Sequence, residues 1–333
     1  MKSKTQQHSP KCRRPRQQRK RQYRIRNWHE YNAALVSRGS LTLWVDAQAL
    51  HAWLKPPSTG QPGRPFTYSD MALQCMALLS CVYRLPLRST QGLLHSILQL
   101  MGLNLPTPHY STLCRRRQKL HVALPVRSRS EPLHLVVDST GLKLFGEGEW
   151  KVRLHGWSRH RTWLRLHLGV DEASGEVQAA KLTSRQQIDK DVLPQLLQQV
   201  LVPIAQVSGD AGYDFISCYE AIEGVGARAT IALRSNARLW NNRQMRQRDA
   251  NLKRIRELQG RHRKDPHWAR KQWKKESGYH RRSLVETCMM RLKTLFGDRL
   301  SARTAAAQQN QALLRCHALN RMTHLGMPQS YAV

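Results

Sequence analysis

Three carboxylates occupy positions in the sequence from which a fold could bring them together. Asp138 follows the apolar run 133–137, and Asp210 follows the short run 206–209; both runs are typical of buried strands. Glu286 lies in a stretch whose apolar residues recur with helical spacing. Strand ends near the centre of a sheet, together with one helical carboxylate, would gather distant acids around one cavity. Taken singly, each Asp could equally be a turn or cap residue.

Three acids around one cavity would repel one another and raise one another's pKa values, and divalent cations relieve that repulsion. Mg²⁺ prefers one or two carboxylates together with waters and phosphate oxygens. Two such ions about 4 Å apart would activate a water or a 3′-hydroxyl and stabilise the leaving oxygen of a phosphodiester. The acids therefore predict a site for Mg²⁺, bound as two ions, with Mn²⁺ as a substitute.

Residues 279–293 carry Glu286 and predict a helix. At about 100° per residue, Tyr279, Arg282, Glu286 and Lys293 fall within an arc of roughly 60°. The opposite arc is apolar and contains Leu284, Val285, Cys288, Met289, Leu292, Leu295 and Phe296. We expect the polar line to lie on a buried face. The alternative is an ordinary solvated helix face. Such a face usually mixes Glu and Lys, whereas this one has a single acidic residue among basic residues.

The composition indicates a polyanionic partner. The 333 residues include 55 Lys and Arg against 22 Asp and Glu, for a formal charge of +33 and a pI near 10.9. Self-repulsion on that scale is typical of proteins that bind nucleic acid. No apolar run approaches the roughly 18 residues of a spanning helix, and the N-terminus has no apolar signal core. We expect a cytoplasmic protein with no membrane partner. The absence of a G-x-x-x-x-G-K-[ST] motif disfavours a nucleotide-driven machine.

The amino-terminal part predicts two regions. Residues 1–27 abound in Lys and Arg and contain no acid, which predicts a disordered basic arm on DNA phosphates; a merely solubilising tail is the alternative. Residues 28–125 predict a helical DNA-binding region, interrupted by a Gly/Pro linker at 60–65. Its last three helices resemble a helix-turn-helix, although such packing is common without DNA. The third helix carries the candidate DNA-binding residues Arg115, Arg116 and Arg117.

The remaining chain, 130–325, predicts an α/β domain. Alternating apolar runs indicate strands, one of them at 149–155, and later strands alternate with helices, which favours a mixed sheet with helices on both faces. A basic insertion at about 235–278 interleaves Trp240, Trp268 and Trp273 with Lys and Arg. Basic side chains interleaved with aromatic ones suit a surface that faces nucleic acid. A partly disordered charged loop is the alternative.

Together these motifs resemble one known family. The spacing Tyr279-x2-Arg282-x3-Glu286-x6-Lys293 is similar to the signature of DDE transposases of bacterial insertion sequences. The stretches 137–141 (Val-Asp-Ser-Thr-Gly) and 209–213 (Gly-Asp-Ala-Gly-Tyr) match that family's first and second catalytic blocks. The texture of three further stretches resembles the insertion-sequence-five family in particular: 84–88, 110–112 and 147–151.

The resemblance implies a ribonuclease-H-like fold preceded by a DNA-binding region. It implies Asp138, Asp210 and Glu286 as catalytic metal ligands. It also places Tyr279, Arg282 and Lys293 on terminal phosphates and bases of the transposon end.

The implied function is a transposase that binds terminal inverted repeats, cleaves phosphodiesters there and joins the 3′-hydroxyls to target DNA. Its implied partners are double-stranded DNA and further copies of the chain, as a homodimer or higher oligomer, in the bacterial nucleoid. Two alternatives stay open: a nuclease of the same fold without strand transfer, and a non-enzymatic DNA-binding repressor.

Overall fold

A computed structural model describes residues 22–45, 47–55, 67–144, 163–234, 236–241, 246–261, 265 and 267–333. Four sequence predictions fall wholly or mostly on residues outside these ranges. They concern most of the basic arm, the Gly/Pro linker at 60–65, the strand at 149–155 and the motif at 147–151.

The amino-terminal region is helical, as predicted. Its elements are β1 (Tyr23–Ile25), α1 (Trp28–Ser37), α2 (Leu41–Trp44), α3 (Ala47–His51), α4 (Asp70–Val82), α5 (Leu87–Leu100) and α6 (Tyr110–Arg116). The Ser69 hydroxyl caps the start of α4, where it accepts a hydrogen bond from the amide of Ala72 at 3.1 Å. The apolar side of α4 is buried in the main hydrophobic core.

The described residues near the two chain ends pair with each other. We predicted disorder up to residue 27, and this prediction is wrong for the described residues 22–27. Strand β1 pairs in antiparallel fashion with β8 (Ser330–Ala332), so that Tyr23 lies opposite Ala332. Pairing satisfies the backbone groups of both segments, which is why neither remains irregular.

A mixed sheet of six strands forms the centre of the carboxyl-terminal part, as predicted. Its strands are β2 (Leu133–Leu144), β3 (Trp163–Asp171), β4 (Val177–Ser184), β5 (Ile204–Gly209), β6 (Arg228–Ile231) and β7 (Arg299–Leu300). The order is β4-β3-β2-β5-β6, and β7 pairs with the end of β2. Neighbours β2, β3 and β4 are antiparallel, whereas β5, β6 and β7 join in parallel.

Helices cover both faces of the sheet because β2 is apolar on both sides. Its side chains alternate, so Val136 and Leu142 face one core and Leu135 and Val137 face the other. On the Val136 face lie α11 (Ser283–Phe296), α12 (Ala305–Leu325) and the amino-terminal helices. On the opposite face lie α7 (Asp189–Leu197) and α8 (Ile216–Gly224). The predicted regions 28–125 and 130–325 therefore share one continuous core.

The basic insertion forms a helix pair, α9 (Arg246–Arg261) and α10 (Trp268–Glu276). Trp273 is only 3% exposed and packs with Leu252 and Ile255 in the core of this pair. Trp240 packs against the Arg248 guanidinium, whose carbon lies 3.6 Å from the ring centroid. We predicted aromatics facing nucleic acid, but these two tryptophans hold the insertion together instead, because a helix pair this polar needs every large apolar side chain for its core.

Side-chain amides of α12 attach the segment between the two regions to the sheet. Asn310 donates to the carbonyls of Arg117 and Leu120 at 2.8 and 2.9 Å. Asn320, which is fully buried, donates to the carbonyls of Pro125 and Val177 and accepts from the amide of Val177 at 2.8 Å. The amino-terminal helices are thereby held in a fixed position relative to the sheet.

Replacing Asn320 with Ala should lower the free energy of unfolding by about 2–4 kcal/mol, because buried backbone groups of two segments lose their partner. Urea unfolding followed by circular dichroism measures the change. Gln99→Ala, on the exposed side of α5, is the control and should change stability by less than about 0.5 kcal/mol. An equal, small effect of both substitutions would contradict the attachment role.

Candidate active site

Asp138 lies where β2 loses one neighbour. We predicted that it ends a strand, but β2 continues to Leu144 because β3 pairs with it from Leu135 to Lys143. On the other side, the pairing with β5 stops at Val136, and β7 takes over only at Lys143. Between these points no described strand pairs with that side of β2, which leaves room beside the Asp138 carboxylate.

Asp210 directly follows β5, as predicted. Val136 is paired with Ser208, and each acid comes two residues later on its own strand. Asp138 and Asp210 therefore leave the sheet at the same level and on the same face. The Asp210 Oδ1 atom accepts a hydrogen bond from the Gly212 amide at 2.8 Å, which holds the carboxylate on the turn after β5.

Burial raises the pKa of Asp138, and the charge of Asp210 raises it further. The Ser139 amide, which donates to Oδ1 at 2.8 Å, and the Arg282 guanidinium act in the opposite direction but do not cancel the shift. The Asp210 charge thus acts on Asp138 in the direction expected for two neighbouring acids, and a cation in their vicinity would oppose it.

Arg282 connects the sheet to the third predicted acid. Its Nη1 atom donates to Asp138 Oδ2 at 2.6 Å, and its Nη2 atom donates to Glu286 Oε1. The planar fork of a guanidinium allows one side chain to bond two carboxylates at once. Arg282 thus links Asp138 with Glu286.

The position of Glu286 differs from the prediction in two respects. We predicted a buried face, but the Glu286 side chain is 54% exposed. We also predicted one α-helix from Tyr279, whereas residues 279–282 form a 3₁₀ turn and α11 begins at Ser283. Gly278 has a left-handed φ of 74° that separates this turn from α10, and the tighter turn still aligns Tyr279 with Arg282 because residues three apart eclipse.

Tyr279 and Lys293 lie on either side of Arg282 and Glu286 along the chain. The Tyr279 ring is 7% exposed and packs against Trp273, with ring centroids 5.7 Å apart. Burial raises the pKa of Tyr279, and the nearby Arg282 charge opposes that shift. Lys293 follows Glu286 by two helical turns, about 10 Å. It is half-buried and makes no hydrogen bond or ion pair within the described chain.

The three arginines of the predicted helix-turn-helix have different surroundings and lie apart from the acids. Arg116 donates to the Tyr68 carbonyl and to Asp70 Oδ1, both at 2.6 Å, and so supports the start of α4. Arg117 is half-buried and lines a cavity of about 540 Å³ between the amino-terminal helices, α11 and α12. Arg115 is exposed. Base reading by these residues stays a prediction.

The donor set suits a hard divalent cation, since it consists of carboxylate oxygens. Asp138 and Asp210 are side by side, but Glu286 reaches Asp138 only through Arg282. Accordingly, no group of three acids, histidines or cysteines in the described residues is close enough to surround one ion. The pair of aspartates fits a cation, whereas the Glu286 carboxylate is bonded to Arg282.

Sequence reasoning missed a polar cluster on the opposite face of the sheet. His167 is fully buried on β3, and its Nδ1 atom lies 3.2 Å from Asp189 Oδ1 at the start of α7. Arg165 Nη1 lies 3.2 Å from Asp189 Oδ2. The available signal was the alternation of Arg165 and His167 in an otherwise apolar strand, which places both side chains on one face.

A mixed sheet with helices on both faces, acids on two neighbouring central strands and a third acid on a later helix defines a ribonuclease-H-like protein. Two family models, each described as a transposase DDE domain, match residues 36–147 and 129–321. The second covers more than half of the chain and includes all three acids. The chain therefore belongs to the DDE transposases of insertion-sequence type.

Members of this family are metal-dependent enzymes that cut and join DNA, and they use divalent ions. The chain's substrate is accordingly DNA. The narrower resemblance to the insertion-sequence-five family stays a prediction. No helix in the described part of the chain is long and apolar enough to cross a membrane.

Gly212→Ala should displace the Asp210 carboxylate, because the new Cβ would lie 2.8 Å from Asp210 Oδ1. A shift of about 1 Å at a catalytic group can cost roughly 100-fold in rate, so we expect a loss of DNA cleavage of that order. Single-turnover cleavage of a DNA duplex that carries the element's end measures it. Gly224→Ala is the matched control, because its Cβ would meet nothing within 4 Å. Equal rates for the two variants would contradict the role of Gly212.

Proposed function

We propose that the chain binds the terminal inverted repeats of its own element, cleaves phosphodiester bonds there and joins the resulting 3′-hydroxyls to target DNA. The observation that carries this proposal is the common level of Asp138 and Asp210 on adjacent parallel strands, with Glu286 linked to Asp138 through Arg282. Two acids at one level of the sheet, beside a helix that carries basic side chains, suit a phosphodiester held by cations.

Asp138 and Asp210 would hold Mg²⁺ between them, and Glu286 would complete one of two ion sites, with Mn²⁺ as a substitute. When bound, the ions would activate the attacking oxygen and stabilise the leaving oxygen. The chain itself keeps the acids in place: the Ser139 amide holds Asp138 and the Gly212 amide holds Asp210.

Arg282 would have two roles in succession. Without DNA it neutralises Asp138 and Glu286, which limits the repulsion among the acids. With DNA bound, its guanidinium would turn to a phosphate of the cleaved strand, because charge-assisted bonds to phosphate use the same fork. Lys293, with no partner in the described chain, would contact a phosphate about two helical turns away, and Tyr279 would contact the element's end through its exposed edge.

The large positive charge supports DNA contacts over a surface wider than the active site. A formal charge of +33 is more than the phosphates within a single active site would require. We assign end recognition to the amino-terminal helices with Arg115, Arg116 and Arg117, and general phosphate contacts to the basic arm and to helices α9 and α10. Joining two element ends requires two active sites, so the working form would be a homodimer or a higher oligomer in the nucleoid.

Asp138→Asn, Asp210→Asn and Glu286→Gln should each abolish cleavage while DNA binding persists or tightens, because a charge that repels phosphate is removed. Cleavage and gel-shift affinity are measured on the same preparations with Mg²⁺, with Mn²⁺ and with a chelator. Glu220→Gln, an exposed acid on α8, is the control and should behave as the unaltered protein. An acid whose variant still cleaves has no place in the site.

The same experiment separates the alternatives. Products whose 3′-hydroxyls become covalently joined to a second duplex support a transposase, whereas free nicked products alone support a nuclease. A repressor would bind the ends without cleaving them under any metal condition.

Arg282→Ala should lower cleavage and joining by at least roughly tenfold, about 1.4 kcal/mol, with little change in end binding. Arg282→Lys should restore only part of the rate, because an ammonium cannot bond two oxygens as a planar fork does. The neighbouring Arg281 pairs with Glu172 and not with the predicted acids, so Arg281→Ala is the matched control. A parallel loss of binding and cleavage in Arg282→Ala would show that the residue is structural.

A further inference from the structure

A cavity lies next to Ser139, the residue after Asp138, on the face of β2 opposite the Asp138 side chain. This cavity of about 440 Å³ is lined by residues that include Ser139, Gly141, Trp163, Arg165, Arg185 and Asp189. Its size falls within the range of roughly 300–1,000 Å³ that is usual for ligand pockets. Because Ser139 is the next residue after Asp138, the cavity begins one residue from the predicted reaction centre.

Trp163 gives the cavity an aromatic wall. Its indole packs on Gly141 so closely that a Cβ there would lie 2.9 Å from the ring atom Cε3. The absence of a side chain at Gly141 therefore allows the indole to lie against the strand. The indole is only half-buried, and Lys143 Nζ lies 5.3 Å from the ring centroid. A fixed, partly open indole beside a cation is a surface on which a nucleobase can stack.

The opposite part of the lining carries charges of both signs. Arg185 is exposed and makes no ion pair or hydrogen bond within the described chain. Arg165 donates to Asp189 Oδ2 at 3.2 Å, whereas the Nδ1 atom of buried His167 lies 3.2 Å from Asp189 Oδ1. His167 Nε2 in turn lies 2.9 Å from Thr183 Oγ1. Burial alone would raise the pKa of Asp189, but hydrogen bonds from His167 and Ser139 and the Arg165 charge outweigh it and lower that pKa. The cavity thus presents a free cation and a fixed carboxylate acceptor.

We propose that this cavity binds one nucleotide of the DNA strand next to the reacting phosphate. The base stacks on Trp163, an amino or imino group of the base donates to Asp189, and the nucleotide's phosphate meets Arg185. This inference rests on the proposed transposase function and adds a base-contacting site to it. The nucleotide comes either from the element's own end or from the target strand, since both pass the same acids.

The test combines protein and DNA changes. Trp163→Ala and Trp163→Phe are assayed with duplexes that carry a single abasic site, scanned over the nucleotides on both sides of the reacting phosphate. One arm measures single-turnover cleavage of the element's end. The other arm uses ends with a preformed 3′-hydroxyl and measures joining to abasic target duplexes. Leu201→Ala, which removes an exposed apolar side chain from the loop between α7 and β5, is the control.

At one abasic position we expect a loss on the order of tenfold, similar to the loss caused by Trp163→Ala on intact DNA. Combining that position with Trp163→Ala should add little further loss, because both changes remove the same stack. Trp163→Phe should retain most of the rate, since it keeps an aromatic face. An effect in the cleavage arm assigns the nucleotide to the element's end, and an effect confined to the joining arm assigns it to the target.

Two results would overturn the proposal and leave Trp163 as a packing residue. The first is that the losses caused by Trp163→Ala and by the abasic site multiply at every abasic position in both arms. The second is that Trp163→Phe is as slow as Trp163→Ala. Circular dichroism melting of both variants verifies that they fold. Failure of the proposed function is distinct from this result, because it would appear as cleavage retained by Asp138→Asn.

Discussion

The parallel pairing of β2 with β5 is the constraint on which the site depends. It sets Val136 opposite Ser208 and so brings Asp138 and Asp210, 72 residues apart in the chain, to one level of the sheet. A slip of one residue would turn one acid to the other face. Gly209, the last residue of β5, allows Tyr213 to pack closely on this strand, because a Cβ there would lie 2.9 Å from the Tyr213 ring. Tyr213 itself is almost fully buried in the core beneath α7 and α8.

The helices on the Val136 face place Arg282 and Glu286 beside this pair of acids and hold the amino-terminal helices against the sheet. Val285 and Leu292 bury one side of α11 in the core, which turns Glu286 outward and brings Arg282 against Asp138. The same core contains α4, and the amides of α12 hold the segment after α6. DNA bound by the amino-terminal helices would therefore keep a fixed distance from the acids without any hinge.

The alternation of side chains along β2 gives its two faces different tasks. Asp138 points to the face that carries Arg282 and α11, whereas Ser139 points to the cavity with Trp163 and Asp189. His167 and Asp189 occupy a buried position that apolar residues would fill at less electrostatic cost. That cost is understandable if the carboxylate has to remain charged and immobile beside a strand of DNA.

The sequence by itself determined the residue types, the strand and helix pattern and the positive charge. Apolar runs of period two predicted the mixed sheet, and the spacing from Tyr279 to Lys293 identified the polar line beside it, because these patterns are local. Only the tertiary structure decided that β2 continues past Asp138, that Glu286 is exposed and bonded to Arg282, that Trp273 is core and that Arg116 supports α4. Three of these depend on a partner distant in the chain: β3 for β2, α9 for Trp273 and Asp70 for Arg116. Arg282 and Glu286 are only four residues apart, but the packing of α11 on the sheet decides that Glu286 faces outward and that Arg282 also meets Asp138. Local periodicity contains no information about which distant surface a side chain meets.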